Sequence, residues 1–179
     1  MAPAGNFESL QAAIDNGADS VYFGVDQLNM RARASINFTI ADLDEIARRC
    51  APKGIRTYLT LNTIIYDHDL SIIKTLLDAA KKAGLTAVIA MDQAVIAYAR
   101  QIGMEVHIST QINITNIETV RFYAMFADTM VMSRELSLRQ IKKICEQIEK
   151  EQIKGPSGNL VEIEIFGHGA LCMAVSGKC

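Results

Sequence analysis

Six short, β-branched runs alternate with amphipathic helical stretches along this chain, and polar residues stand directly after nearly every run. Together these observations predict an α/β fold with a TIM-barrel-like (β/α) succession of about seven parallel strands, an incomplete barrel. Regular alternation implies parallel strands joined by right-handed crossovers. The runs are apolar on both faces, as strands covered on both sides must be. The polar residues are Asn62, Asp92, Ser109-Thr110-Gln111, Ser133-Arg134-Glu135 and His168. An open sheet concentrates such groups at one switch point, whereas a barrel gathers them from many strand ends.

In chain order, Ala2-Pro3-Ala4-Gly5 reads as the stump of a first strand before an Asn6 helix cap. The strand candidates that follow are 20–25 (SVYFGV), 56–61 (RTYLTL), 87–91 (AVIAM), 105–109 (EVHIS), 129–132 (TMVM) and 161–166 (VEIEIF). Helices are read from caps and from apolar residues spaced three and four apart. Asn6 precedes Phe7, Leu10 and Ile14, with Gly17 as the stop. Thr39 precedes Leu43, Ile46, Ala47 and Cys50; Leu70, Ile73, Leu76, Leu77 and Ala80 form a third stripe closed by Gly84. Asp92 precedes Val95, Ala99 and Ile102. Thr115 with Glu118, and Ser137 with Gln140, fit capping boxes before two further helices. Gly155-Pro156-Ser157-Gly158 is a loop into the last strand.

Composition bounds the function. Half of the 179 residues are hydrophobic, enough for a substantial core. With 18 Lys+Arg against 20 Asp+Glu the formal net charge is −2, so no global basic surface marks a nucleic-acid binder, though a local basic groove stays open. No apolar run approaches the roughly 18 residues of a membrane helix, and Met1-Ala2-Pro3-Ala4-Gly5 lacks the regions of a signal peptide. Four scattered Cys do not make a disulfide scaffold, which makes a cytoplasmic setting the expectation. Composition does not shift along the chain, so a single domain over 1–179 is expected.

The chemistry-bearing residues cluster in the tail. Residues 164–179 (EIFGHGALCMAVSGKC) place Cys172, Cys179 and His168 among glycines just past a strand. Thiolates bind zinc or iron–sulfur irons, and Gly lets the backbone fold closely around a metal. Two thiolates and one imidazole do not close a tetrahedral site, so a buried Cys172 and a bystander Cys179 is the competing reading. Cys50 and Cys145 fall on apolar helix faces and read as small core residues. His68, between Asp67 and Asp69, reads as a solvated cap, and His107 as an inward-facing strand residue. Arg134 and Glu135 can bind an anionic substrate, or form an ion pair at the rim; Arg31 and Arg33 can meet phosphate or carboxylate groups. Asn6, Asn62, Gln111 and Asn113 offer neutral hydrogen-bonding groups at the same face. No HExxH, GxSxG or P-loop occurs, so those hydrolase and NTPase chemistries lack support.

Ala2-Pro3-Ala4-Gly5-Asn6, residues 17–24 (GADSVYFG), 58–63 (YLTLNT), 107–111 (HISTQ), 133–137 (SRELS) and the 164–179 tail together resemble peptidase family U32, whose members are often named collagenase-like proteases. The resemblance runs the whole length in the same order. It implies a TIM-barrel-like domain. It also implies that Cys172 and Cys179 match the first two of four cysteines that hold a 4Fe–4S cluster, with two further ligands beyond residue 179. Members of the family serve prephenate-dependent hydroxylation of uridine in tRNA and of cytidine in 23S ribosomal RNA, and oxygen-independent hydroxylation in ubiquinone synthesis. The resemblance therefore implies an RNA substrate and a small, prephenate-like carboxylate donor. Val175 stands where an aromatic is common and Gly167 where a larger apolar residue is common. The candidate site is then Cys172 and Cys179 as cluster ligands with His168, Arg134, Glu135, Asn62 and Gln111 around them. The expected function is an iron–sulfur-dependent RNA hydroxylase; a collagenase-like peptidase and a non-catalytic scaffold are the alternatives. Since a whole barrel takes about 250 residues, the chain is expected to be truncated at its C-terminus and by a few residues at its N-terminus, and inactive alone.

Overall fold

The computed structural model describes residues 1–25, 38–169 and 174–176. Among them seven parallel strands alternate with six α-helices, the TIM-barrel-like α/β succession. The strands are β1 (Ala2–Pro3), β2 (Ser20–Phe23), β3 (Arg56–Leu61), β4 (Ala87–Ala90), β5 (Glu105–Ile108), β6 (Thr129–Val131) and β7 (Glu162–Glu164). The helices are α1 (Phe7–Asp15), α2 (Leu43–Cys50), α3 (Leu70–Ala83), α4 (Gln93–Gln101), α5 (Ile117–Ala124) and α6 (Leu138–Glu151). Every strand expected from the sequence forms, most of them shortened by one to three residues. The chain divides into two compact units, Met1–Glu105 and Val106–Cys179.

In the first unit β1, β2, β3 and β4 pair in sequence order, all parallel. The register puts Phe23, Leu59 and Val88 in one row and Tyr22, Tyr58 and Ala87 in the next. Adjacent rows face opposite ways, and both are covered. Leu59 and Val88 have no exposed surface. On the other face Tyr58, Ala87 and Ile89 form a cluster against which Tyr22 packs. The apolar stripes of the helices are buried as expected: Leu10 and Ile14 in α1, Leu43, Ile46 and Cys50 in α2, Ile73, Leu76, Leu77 and Ala80 in α3. Phe38 joins this core edge-on to Phe7 and Phe23, with centroids 5.1 and 5.5 Å away. Two threonines of β3 take part in hydrogen bonds to neighbouring groups. Thr60 Oγ1 donates to the Phe23 carbonyl at 2.8 Å, and the Thr57 N–H donates to Thr86 Oγ1 at 3.0 Å.

The caps explain where the helices start. Asn6 Oδ1 accepts from the Ser9 N–H at 2.8 Å while Ser9 Oγ accepts from the Asn6 N–H at 3.1 Å, a closed capping box. Asp92 accepts from the Ala94 N–H at 2.8 Å and, through its second oxygen, from the Ile65 N–H at 3.3 Å, so one carboxylate caps α4 and ties the loop after β3. Ser137 and Gln140 form the expected box on α6. The box expected at Thr115 and Glu118 is corrected by one residue. Asn116 caps α5, accepting from the Thr119 N–H at 3.0 Å. Asn ranks at the top of N-cap preference, and it outcompetes the neighbouring Thr, leaving Glu118 to pair with Arg121 at 2.6 Å.

In the second unit β5, β6 and β7 pair in order, with His107 opposite Thr129 and Met130 opposite Ile163. His107 is buried, as its strand position predicts. Cys50 is buried and Cys145 half-buried, and burial pushes both thiols up, away from the reactive thiolate. His68 is exposed on a single turn at Asp67–Asp69 and stacks on Tyr66, 5.8 Å between centroids. No helix among the described residues is long and apolar enough to cross a membrane.

Gly155 makes a close approach that requires its missing side chain. A Cβ there would lie 2.3 Å from Asp128 Oδ1 and 2.8 Å from Asp128 Cα. Asp128 cannot simply move aside, because Oδ1 accepts from the Ser157 N–H at 3.0 Å and from Ser157 Oγ at 2.7 Å. Gly155→Ala is expected to destabilise the protein by about 1–3 kcal/mol, the range for overpacking. Urea unfolding should show a lower midpoint with an unchanged slope; an unchanged midpoint would refute the close contact.

Candidate active site

Two strand ends of the second unit build the site. After β5, Ser109 opens a single turn and Asn113 closes it in the left-handed conformation, φ 60° and ψ 49°, which Asn tolerates better than most residues. After β6, the Ser133 N–H donates to the Ile114 carbonyl at 3.0 Å, which joins the two loops. Arg134 and Glu135 then lie on the turn between β6 and α6. They sit a few residues from the buried β6 and are themselves exposed.

Both side chains reach the tail. The Arg134 guanidinium donates through Nη2 to the Ala174 carbonyl at 2.9 Å. Ser176 Oγ accepts from the Arg134 backbone N–H at 3.3 Å and from Arg134 Nε at 3.4 Å. In return the Ser176 N–H donates to Glu135 Oε1 at 2.7 Å. Thr110 Oγ1 lies 3.5 Å from Ser176 Oγ and donates to the Met132 carbonyl at 3.3 Å. Ser176 is thereby buried, 3% exposed, although it lies in the tail.

The second carboxylate oxygen of Glu135 is bound as well. Ser133 Oγ donates to Glu135 Oε2, and Asn113 Oδ1 is a further acceptor 3.0 Å from the same hydroxyl. A hydroxyl has one proton, and the charged carboxylate is the stronger acceptor. The Ser133 hydroxyl, followed by the Ser176 N–H, holds the Glu135 carboxyl down to about 2 from 4.5. Glu135 is therefore fully ionised at neutral pH. A carboxylate so acidic is a poor general base, and Ser133 is only 2% exposed. The Ser133–Glu135 pair is thus a structural hydrogen bond rather than an activated nucleophile.

Of the residues singled out in the sequence, Arg134 and Glu135 are brought together on one segment of the tail, with Ser133, Thr110 and Asn113 behind them. Gln111, next to Thr110 in sequence, is half-buried, and its Oε1 accepts from Ser109 Oγ. His168 is exposed after β7. Asn62 is half-buried after β3, in the other unit. Asn6 is a helix cap. Cys172, Cys179, Arg31 and Arg33 lie outside the described residues. Ser176 is the residue that sequence reasoning passed over. Its signal was position: the one hydroxyl between two cysteines in a glycine-rich tail. Among the described residues no group of three or more His, Cys, Asp or Glu stands close enough to hold a metal.

Comparison with known proteins gives the site a context. The model of peptidase family U32 matches residues 5–179. A collagenase of Porphyromonas gingivalis is 56% identical over 179 residues, covering all of this chain and 43% of the relative. The tRNA hydroxylation protein P1 of Bacillus subtilis is 32% identical over 182 aligned positions, covering all of this chain and 40% of the relative. The chain thus spans about two fifths of the length of these relatives. The solved structure of the U32 peptidase Mk0906 superposes with a TM-score of 0.67 at 13% identity, covering 82% of this chain and 64% of that one, a likeness of fold.

The Glu135 contacts carry a pH dependence of definite sign. A carboxyl whose folded value is depressed stabilises fully above its ordinary value and loses that contribution as pH falls through the folded one. The hold of Glu135 on Ser176 is therefore complete above about pH 4.5 and fades toward about pH 2. At neutral pH Glu135→Ala is expected to speed amide hydrogen exchange at Ser176 about tenfold, the scale of one charge-assisted hydrogen bond discounted for exposure. Exchange in α3 should be unchanged. Equal exchange at Ser176 in both proteins would remove Glu135 from this role.

Proposed function

This chain belongs to peptidase family U32, and from that membership we propose that it is part of an iron–sulfur-dependent enzyme that hydroxylates RNA, tRNA or ribosomal RNA, with a small prephenate-like carboxylate as donor. The single observation that carries the reading is the double grip of Arg134 and Glu135 on residues 174–176, the segment between Cys172 and Cys179. Four hydrogen bonds hold Ala174 and Ser176, and in sequence the two thiols flank this segment, which supports the reading. Cys172 and Cys179 would hold the cluster with two ligands from beyond residue 179, and thiolate donors suit it. When bound, the cluster supplies one-electron chemistry. The residues of this chain orient the ligand segment through Arg134 and Glu135, and exclude water from Ser133 and Ser176. His168, Asn62 and Gln111 are the remaining candidates for contacts to RNA or donor. A cytoplasmic enzyme fits an RNA substrate, and the chain alone, with two of four ligands, would be inactive.

A specific observation favours a second reading: the relative at 56% identity is named a collagenase. In that reading Ser133, buried and bound to the strongly acidic Glu135, would not be the nucleophile.

The full-length protein, purified without oxygen, is expected to be brown and to carry about four iron atoms. Cys172→Ser and Cys179→Ser should each abolish the iron and the hydroxylation of RNA, measured by mass spectrometry of nucleosides. An iron-free preparation that still modifies RNA would overturn the proposal. Digestion of unfolded peptide by Cys172→Ala would establish the peptidase.

A further inference from the structure

The loop that follows β3 presents two aromatic rings to water on a backbone that is tied down. Tyr66 is 61% exposed and the His68 side chain 80%. The two rings are stacked, with 4° between their planes and 5.8 Å between centroids, the offset arrangement that aromatic pairs prefer. Ile64, two residues before Tyr66, is exposed as well. Tyr58 in the preceding strand, by contrast, is buried in the core.

Three hydrogen bonds hold the backbone beneath the rings. The Ile65 N–H donates to Asp92 Oδ2 at 3.3 Å, and the Tyr66 N–H to Asp69 Oδ2 at 3.0 Å. The Asp69 N–H donates to the Tyr66 carbonyl at 2.8 Å. Asp92 is itself fixed as the cap of α4. A flat apolar surface on a fixed backbone loses little conformational freedom when a ligand covers it. The loop also leaves the carboxyl end of β3, the end of the strands at which barrels bind their substrates.

We infer that Tyr66 and His68 form a stacking platform for an unpaired base of the RNA substrate. This rests on the RNA reading above. Of the two substrates in that reading, the loop suits one. Asp67 is exposed, and Asp69 Oδ1 lies 3.5 Å from His68 Nε2. Two carboxylates beside the rings repel an anionic donor, and they repel RNA phosphates equally. The face of a base is neutral and flat, and every base has one to lay on an aromatic ring. In a duplex those faces are already covered by neighbouring bases. The platform therefore selects bases in loops, bulges and ends.

The test uses full-length protein and fluorescence anisotropy. The probes are an end-labelled single strand of about twelve adenosines and the same strand annealed to its complement. Tyr66→Ala is expected to weaken binding of the single strand about tenfold, and His68→Ala to weaken it less. Tyr66→Phe is expected to bind it as the unaltered protein does. Duplex binding and thermal unfolding are expected to agree among all four proteins. The loss in Tyr66→Ala is expected to be equal at about 50 and 200 mM salt, because no phosphate contact is removed. Single-strand binding unchanged in Tyr66→Ala, or an equal loss in Tyr66→Phe, would overturn the inference. So would a lower unfolding temperature in Tyr66→Ala with RNA binding intact, which would assign the stack to a contact with another part of the full-length protein. Hydroxylation by the unaltered protein, scored by mass spectrometry of nucleosides, is read separately. Tyr66-dependent binding without hydroxylation would overturn the hydroxylase reading and leave the platform standing. Hydroxylation with binding indifferent to Tyr66 would overturn the platform alone, and unaltered protein that binds no RNA would overturn both.

Discussion

A parallel sheet is stable only when both of its faces are covered, and that requirement organises what surrounds it. Along β2, β3 and β4 the register sets Phe23, Leu59 and Val88 on one row and Tyr22, Tyr58 and Ala87 on the next. Neither row can face water without losing apolar burial. Hence the helices carry continuous apolar stripes, Ile73, Leu76, Leu77 and Ala80 among them. Hence also the polar side chains within the strands, Thr57 and Thr60, are bonded to neighbouring backbone or hydroxyl groups. Unsatisfied, they would cost more than their burial returns.

With the strands committed to the core, their carboxyl ends are the places left for polar chemistry. The turn after β6 is too short to travel far, so Ser133, Arg134 and Glu135 act near one another. Ser133 stays inside, bound to Glu135, while Arg134 and Glu135 reach out to the tail. The charge of Glu135 matters because an ionised carboxylate accepts two hydrogen bonds at once and donates none. Its strong acidity follows from those same two donors. The arrangement satisfies itself, which is the property of a scaffold for a neighbouring segment and not of an acid–base pair.

That distinction bears on the two activities named among the relatives. A serine-type hydrolase needs a hydroxyl that substrate can reach and a base near neutral pKa. Buried Ser133 beside acidic Glu135 is not such a pair, which speaks of these two residues alone. The contacts to Ala174 and Ser176 instead hold those two residues of the tail. The family thus joins two names to one architecture, as common barrels do.

Much of the fold was legible in the sequence, because periodicity and caps act over a few residues. The strand positions, the Asn6 and Ser137 boxes, the Asp92 cap and the burial of Cys50 follow from local pattern alone. The α5 cap was misplaced by one residue because Thr115 and Asn116 are both competent and only their geometry chooses. The site was legible as a list of polar residues after strands, but not as a set of partners. Arg134 and Glu135 meet residues some 40 positions away. No spacing rule spans such a distance, since it is the sheet register that brings those ends together. The sequence by itself determined the elements and the chemistry of their ends; only the tertiary structure decided that this chemistry is turned on the tail between Cys172 and Cys179, because hydrogen bonds are a matter of distance and direction in space.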